Sequence, residues 1–353
     1  MKLGIITSRA TSLMNVARDI AYVAKKQGYV PVLLDYMANP YDLIRMVSQA
    51  IVVMTVDPLV ARSWLLLSRD MNSVGITSYV YATVEGRLPH HFVKDWMRRE
   101  VVFVANSRYT ESKLTDAGMQ VLDVVPHGVN LDEARHALAL APQLRRQIRD
   151  QLGDGVVFGV VSTTHPRKGM RRLAETLAKA SDKLDKAKFY IVSNTEAKMI
   201  FRGIKNVYVD TNYGKRTRTE ALALIAAFDF LLHPALAEGF GLPVLEAMAV
   251  GVPSIHAAYQ PLTEFSPPDA NIMVDVDAII YDTFGEGIEY ELHVWNPKSM
   301  VEAIQEAIDI KLNRSGEYEE RAARLRAAAA KYDVQRLYPR LLDLLTSVEK
   351  LNA

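Results

Sequence analysis

Apolar residues along this chain fall into two kinds of run that take turns. Short continuous runs rich in Val and Ile, at Lys2 to Thr7, Val30 to Asp35, Ile51 to Val56, Ile76 to Thr83, Val101 to Asn106 and Val121 to Val125, have strand length. Between them lie longer segments with apolar positions three and four apart: Ser12 to Gln27, Tyr41 to Gln49, Leu59 to Met71, Phe92 to Arg98 and Ser107 to Ala117. That spacing predicts helices with one buried face. Strands that are apolar throughout, rather than at every second residue, are covered on both faces and belong to a parallel sheet. The first part of the chain is therefore expected to be a doubly wound α/β domain.

Gly118 stands where a helix from Ser107 would end. The turn-rich loop VPHGVNLDE, Val125 to Glu133, and the charged segment Leu138 to Asp154 then mark a domain border, which sets the first domain at residues 1–140 and the second at 141–333. A second round of alternation follows, with strands at Val156 to Ser162, Phe189 to Ser193, Val207 to Val209, Phe228 to His233, Val252 to His256 and Ile272 to Val276. Its helices are expected at Met170 to Leu184, Thr217 to Ala227, Pro243 to Val250, Lys298 to Leu312 and Tyr318 to Tyr332, and a last amphipathic helix at Val334 to Leu351.

Length supports this division, since 353 residues exceed one ordinary core and suit two domains of about 150 residues each. A net charge of +1 argues against a nucleic-acid partner, which selects strongly basic surfaces. With no cysteine there are neither disulfides nor thiolate metal sites. The opening MKLGIITSRA is unlike a signal peptide and no run reaches the ~18 apolar residues that span a bilayer, so a cytoplasmic protein is expected. The segment RAARLRAAAAK, Arg321 to Lys331, makes a helix with a basic face; a solvated face is the plain reading, and a peripheral membrane or acceptor contact stays open.

The chemistry concentrates in His233 to His256, HPALAEGFGLPVLEAMAVGVPSIH. An apolar strand runs into a loop with Gly239 and Gly241, and Pro243 sets the helix start at about Leu242 to Val244. Backbone N–H groups and the helix dipole at such a start suit an anion such as a diphosphate, and glycines let the backbone of Phe240 to Leu242 come close to it. Glu238 in the loop and Glu246, read as lying in the first turn of the helix, frame this pocket. Carboxylates beside a phosphate site make sense when the same ligand also brings hydroxyl donors, as a nucleotide-sugar does.

EGFGLPVLEAMAVGVP resembles the Glu-x7-Glu signature of the retaining GT-B glycosyltransferases of family four, and the flanking strands extend the likeness. The resemblance implies two Rossmann-like domains facing a central cleft, a C-terminal helix at 334–353 that returns to the first domain, and transfer of a sugar from a nucleotide-sugar with retention and without a metal. Glu238 would then take hydrogen bonds from donor-sugar hydroxyls and Glu246 from the ribose, while no cofactor is called for.

PRKG, after the first strand of the second half, resembles the family's Lys-Gly motif. It would place Arg167 and Lys168 at the C-terminal edge of the sheet, against the leaving diphosphate. The family's second cation, at the end of that strand, is missing from VVSTT, and Arg167 is the candidate replacement. On the acceptor side Glu85, His90 and His91 follow the fourth strand, and Ser8 and Arg9 follow the first in TSRATS, which lacks the family's glycines. His127 in VPHGVN is either a cleft-facing hinge residue or a structural histidine. Asp275 to Asp277 reads as a turn-forming strand end rather than a metal site. An epimerase or hydrolase of the same fold, or a non-catalytic nucleotide-sugar-binding subunit, remains as an alternative, and the acceptor is not identified.

Overall fold

A computed structural model of the protein describes residues 1–35 and 46–352. The chain forms two compact units, each described in turn. Unit 1 comprises Met1–Asn130, Asp282–Tyr290 and Tyr332–Ala353, and unit 2 comprises Leu131–Tyr281 and Glu291–Lys331.

Unit 1 is built on strands β1 (Lys2–Thr7), β2 (Val30–Asp35), β3 (Gln49–Thr55), β4 (Thr77–Thr83), the two-residue β5 (Gly86–Arg87), β6 (Phe103–Ala105) and β7 (Val121–Val124). Its main sheet is parallel throughout, in the order β2-β1-β3-β4-β6-β7. Helices α1 (Thr11–Lys26), α2 (Ala61–Ser73), α3 (Asp95–Arg99) and α4 (Arg108–Asp116) connect these strands. The expected helix Tyr41 to Gln49 lies outside the described residues over 41–45, and Gln49 opens β3 instead.

Unit 2 opens with α5 (Leu131–Leu152), which starts well before the charged segment expected from Leu138 and carries Pro142 inside it. Strands β8 (Val156–Val161), β9 (Ala187–Val192), β10 (Val207–Asp210), β11 (Phe230–His233), β12 (Ser254–Ala257) and β13 (Ile272–Val274) alternate with α6 (Met170–Lys179), α7 (Ala197–Ile200), α8 (Arg218–Ala226), α9 (Leu242–Val250) and α10 (Leu262–Phe265). The sheet order is β10-β9-β8-β11-β12-β13, all parallel. From β8 the chain steps outward to β9 and β10, then returns to β11 on the other side of β8. Loops after β8 and β11 therefore diverge at one point on the C-terminal edge, where open α/β sheets bind ligands.

Two further strands, β14 (Val276–Asp282) and β15 (Glu289–Trp295), were not among the expected ones: β14 is exposed or half-exposed along its whole length, so no two-residue alternation marks it, whereas EYELHVW of β15 does alternate polar and apolar residues. Glu289 and Tyr290 of β15 pair antiparallel with Arg87 and Gly86 of β5 in unit 1. After α11 (Pro297–Asn313) and α12 (Ser315–Ala329), the chain re-enters unit 1. The single helix expected over Val334 to Leu351 is two, α13 (Val334–Leu337) and α14 (Pro339–Asn352), because Pro339 has no N–H to continue the first and suits the start of the second. Tyr79 Oη donates to the Leu341 carbonyl at 2.7 Å, fixing α14 on β4.

The end of unit 2's sheet away from the switch point is held by one buried carboxylate. Asp229 Oδ1 is 3.0 Å from Arg145 Nη1 and 3.1 Å from Lys311 Nζ, and Oδ2 accepts from Val157 N–H. Beside it the Phe228 ring lies so close to β8 that a Cβ at Gly159 would fall 1.9 Å from it. Replacing Asp229 with Ala strands two cations and a backbone donor, and is expected to destabilise unit 2 by about 3 kcal/mol, read as a lower denaturant midpoint against wild type; an unchanged midpoint refutes it.

Candidate functional site

The loops after β8 and β11 are locked to each other through the backbone. Leu236 and Ala237 N–H groups donate to the Arg167 carbonyl at 2.7 and 3.3 Å, and Arg167 Nη1 donates to the Ala237 carbonyl at 3.2 Å. Pro166–Lys168 make one 3-10 turn that Gly169 ends at φ 66°, and a Cβ there would sit 2.1 Å from the Pro234 carbonyl oxygen. The second loop is pinned from behind as well. Trp295 Nε1 donates to Pro234 O at 2.8 Å, His293 N–H to Leu236 O at 2.7 Å and Tyr259 Oη to Ala235 O at 3.1 Å.

This frame brings Arg167, Lys168 and Glu238 together as the sequence suggested. Lys168 Nζ lies 2.5 Å from Glu238 Oε1, and Arg167 Nη1 lies 3.7 Å from Oε2. His233 Nε2 is 3.2 Å from the same Oε1 as Lys168. Glu238 is 6% exposed. Burial alone would raise its pKa, but Lys168, His233 and Arg167 together outweigh burial and hold the carboxyl well below the usual range. The candidate site thus contains a buried acid whose charged form is favoured, with its cations already in place.

Gly241 caps α9 at φ 99°, and a Cβ there would meet Leu262 Cδ2 at 2.2 Å, so this turn demands glycine. Gly239 and Phe240 precede it, and the Phe240 ring stacks on Phe265 at 4.9 Å in the core, so only the backbone of Phe240 can face a ligand. Because α9 begins at Leu242, Glu246 is its fifth residue and stands in the second turn. The first-turn reading is corrected accordingly: Glu246 lies beyond the last free N–H of the helix start, and its partners are side chains. Arg218 Nη2, from the first residue of α8, is 3.4 Å from Glu246 Oε1. Burial raises the Glu246 pKa, Arg218 opposes that and Glu133 adds to it.

In unit 1, Ser8 Oγ accepts from Ala10 N–H at 3.3 Å just before α1, with exposed Arg9 between them. Glu85 is half-buried after β4, and His90 and His91 are exposed on the following turn. His127 is buried: Nδ1 is 2.9 Å from Tyr81 Oη and Nε2 is 3.3 Å from Thr83 Oγ1. Of the two readings of His127, these bonds support the structural one. Asp275 Oδ2 accepts from Ser299 Oγ and Asp277 Oδ1 from Asn296 Nδ2, so this pair braces the start of α11.

Several neighbours of the acids carried no sequence signal. His233 was visible only as the last residue of a strand, while Arg218 and Glu133 come from helices 28 and 113 residues away from Glu246 in sequence. Tyr213, in the loop between β10 and α8, has its pKa raised by burial and then by Glu238 and Glu246, which places its phenol near both acids. Behind the site His256 is fully buried, with Nδ1 at the Ala257 carbonyl and Nε2 at 2.7 Å from Ser266 Oγ.

Comparison with known proteins bears on the fold and the enzyme class. Residues 155–281 match a family model described as glycosyl transferases group 1. The chain is 28% identical over 349 residues to an uncharacterized glycosyltransferase 335 of Sulfolobus islandicus rod-shaped virus 1, covering 97% of this chain and 100% of that one. Among solved structures, a glycosyltransferase from Rickettsia africae ESF-5 superposes with a TM-score of 0.73 at 12% identity, over 98% of each chain. Anabaena Alr3699/HepE, crystallised with UDP and glucose, does so with a TM-score of 0.66 at 13% identity, over 98% of this chain and 100% of that one. The fold is GT-B, and the chain is a glycosyltransferase enzyme. No helix among the described residues is long and apolar enough to cross a membrane.

Burial lowers the His256 pKa to about 4, with His233 adding to the shift and the Ala257 carbonyl opposing it. A histidine whose folded pKa lies below its unfolded value of about 6.5 leaves stability intact above that value and removes it as pH falls toward 4, by about 3 kcal/mol in all. Denaturant unfolding between pH 7 and 4.5 is therefore expected to be less pH-dependent in His256→Gln than in wild type; equal slopes refute the assignment.

Proposed function

We propose that the enzyme transfers a glycosyl group from a nucleotide-sugar donor to an acceptor hydroxyl, with retention of anomeric configuration and without a metal ion. The observation that carries this reading is Glu238, buried and charged, sharing one loop frame with Lys168 and Arg167 beside the start of α9. A diphosphate is an anion and suits two cations at a helix N-terminus. A sugar brings hydroxyl donors, and an ionised carboxylate accepts them. One ligand has both parts in covalent sequence. That HepE, of the same fold, was crystallised with UDP-glucose supports a nucleotide-sugar and makes UDP the first probe.

In the proposed step the bond from the anomeric carbon to the diphosphate oxygen breaks and its electron pair leaves with the phosphate. Lys168 and Arg167 take up the charge that develops there, the role a divalent ion fills in other transferases. An acceptor hydroxyl forms the new bond on the face the phosphate leaves, and its proton passes to the departing phosphate oxygen. Glu238 holds the sugar by its hydroxyls and Glu246 holds the ribose, so neither needs to act as a nucleophile.

Calorimetry with UDP, GDP and ADP tests the site. Lys168→Ala and Glu246→Ala are each expected to weaken the nucleotide that binds by roughly tenfold or more, the loss of a charged hydrogen bond; unchanged affinity in both sinks the assignment. With a donor and acceptor in hand, transfer should survive a chelator and the product should keep the donor's anomeric configuration by NMR. Restoration by a divalent ion after chelation would overturn the metal-free part alone, and release of free nucleotide without acceptor would point to a hydrolase.

A further inference from the structure

Glu246 is held in a way that the pairing of two acids does not explain. Its Oε1 faces Arg218 Nη2 at 3.4 Å, and the Nε edge of the same guanidinium lies 4.0 Å from Glu133 Oε2 in the first turn of α5. Arg218 and Glu246 side chains are only 9% and 13% exposed, and Glu133 is 34% exposed. At 3.4 Å the Arg218–Glu246 contact is an ion pair rather than a hydrogen bond, so the charge of the guanidinium, not a directed bond, holds the buried carboxylate.

The frame around the guanidinium is rigid. Thr217 caps α8 in a reciprocal pair with Glu220, which fixes the backbone of Arg218 one residue later. Helix α8 packs along α5, where Leu222 and Ala223 bury against Ala137 and Leu144. Before α8, Arg216 pairs with Asp210 at 2.5 Å and Asn212 bonds the same carboxylate, so both ends of the loop carrying Tyr213 are tied down. Arg218 therefore starts from a fixed backbone position, and its guanidinium lies within ion-pair range of both Glu133 and Glu246.

We propose that Arg218, set between Glu133 and Glu246, is a positioning residue of the donor site: its charge holds the buried Glu246 carboxylate in place to meet the donor ribose, and Glu133 draws on the same charge. The inference rests on the ribose role given to Glu246 above. Its chemical content is that two carboxylates share one cation. Removing the cation leaves Glu246 buried and uncompensated, which favours its neutral form; removing Glu133 takes away a like charge and leaves the cation to Glu246 alone. The two changes therefore act on Glu246 in opposite directions.

Among the described residues, Arg218 of α8 and Glu133 of α5 act on the charge of Glu246, and Glu246 in turn acts on Tyr213 of the β10–α8 loop. Helix α12, which also packs on α9, brings Arg326 only to Gly251 at the far end, and from β11 His233 meets Glu238 instead.

The test is the pH dependence of nucleotide binding, by calorimetry with UDP, GDP and ADP from pH 5 to 8, in wild type, Arg218→Gln, Arg218→Lys, Glu133→Gln and Glu246→Gln. The nucleotide's own titration is common to all five and cancels on comparison. Affinity is lost on the acid side as Glu246 takes a proton. In Arg218→Gln that midpoint is expected to rise by about one pH unit, and in Glu133→Gln to fall, while Arg218→Lys, which keeps the charge, stays close to wild type but binds more weakly at every pH. Midpoints that do not move, or that move the same way in both neutral variants, overturn the proposal. Should Arg218→Gln fail to fold, Glu133→Gln and Arg218→Lys carry the same test. Glu246→Gln separates the two levels: wild-type affinity in it, or no binding of any of the three nucleotides by wild type, overturns the ribose role, whereas weakened binding in Glu246→Gln with unmoved midpoints elsewhere overturns only the part given to Arg218 and Glu133.

Discussion

A carboxylate buried as Glu238 is keeps its charge only if cations are buried with it, and the organisation of unit 2 follows from that requirement. Lys168 and Arg167 reach Glu238 because the loop after β8 lies against the loop after β11, and those loops adjoin because β8 and β11 are neighbours in the sheet although about seventy residues apart in the chain. Gly169 completes the arrangement: in the left-handed conformation it turns α6 away while letting Pro234 approach to a distance no Cβ would permit. Sheet order, glycine and ion pair are thus one constraint met at three levels.

The second acid is governed by the opposite balance. Glu246 is buried as well, yet it has one cation, that cation is shared with Glu133, and its pKa is raised where that of Glu238 is lowered. Identical side chains eight positions apart are separated by their partners alone. The surroundings of Glu238 favour its charged form and those of Glu246 its neutral form. The ends of the sheet divide their work in the same manner. At the start of β11, Asp229 is taken up by Arg145, Lys311 and the Val157 N–H, whereas at its far end His233 leads into the loop that carries Glu238.

The alternation of strands and helices was legible because continuous apolar strands and amphipathic helices have distinct periods, and both sheets were readable from it. Part of what escaped had no period to read, although the alternating EYELHVW of β15 did. Strand β14 is exposed on both faces, and Pro339 breaks a helix whose apolar spacing runs on unbroken through residues 334 to 348. Glu246 was placed one turn too early because Pro243 sits at the second helical position, not the first. Within the site, Glu238, Lys168 and the glycines could be found since each lies in a local motif at a strand end. Arg218 and Glu133 could not, since their meaning depends on α5 and α8 packing together, and a surface-like Arg next to a Thr cap carries no mark of that. His127 shows the converse case, where a residue in a promising loop is fully engaged by Tyr81 and Thr83.

The Lys168–Glu238 pair also bears on how a donor would enter the proposed site. At 2.5 Å the ammonium is committed to the carboxylate, and a diphosphate placed beside it would compete for the same three N–H donors. Replacing one anion by another around a fixed cation costs far less than bringing two charges out of water, because the cation is desolvated already. Whatever hold Lys168 gives up on Glu238 leaves a buried carboxylate oxygen needing a new donor, and the sugar hydroxyls of the same ligand supply it. Diphosphate and sugar would thus be recognised together, since the carboxylate that accepts the sugar becomes available only as the cation turns to the phosphate. A free sugar would find Glu238 occupied, and a free nucleotide would leave it short of a partner.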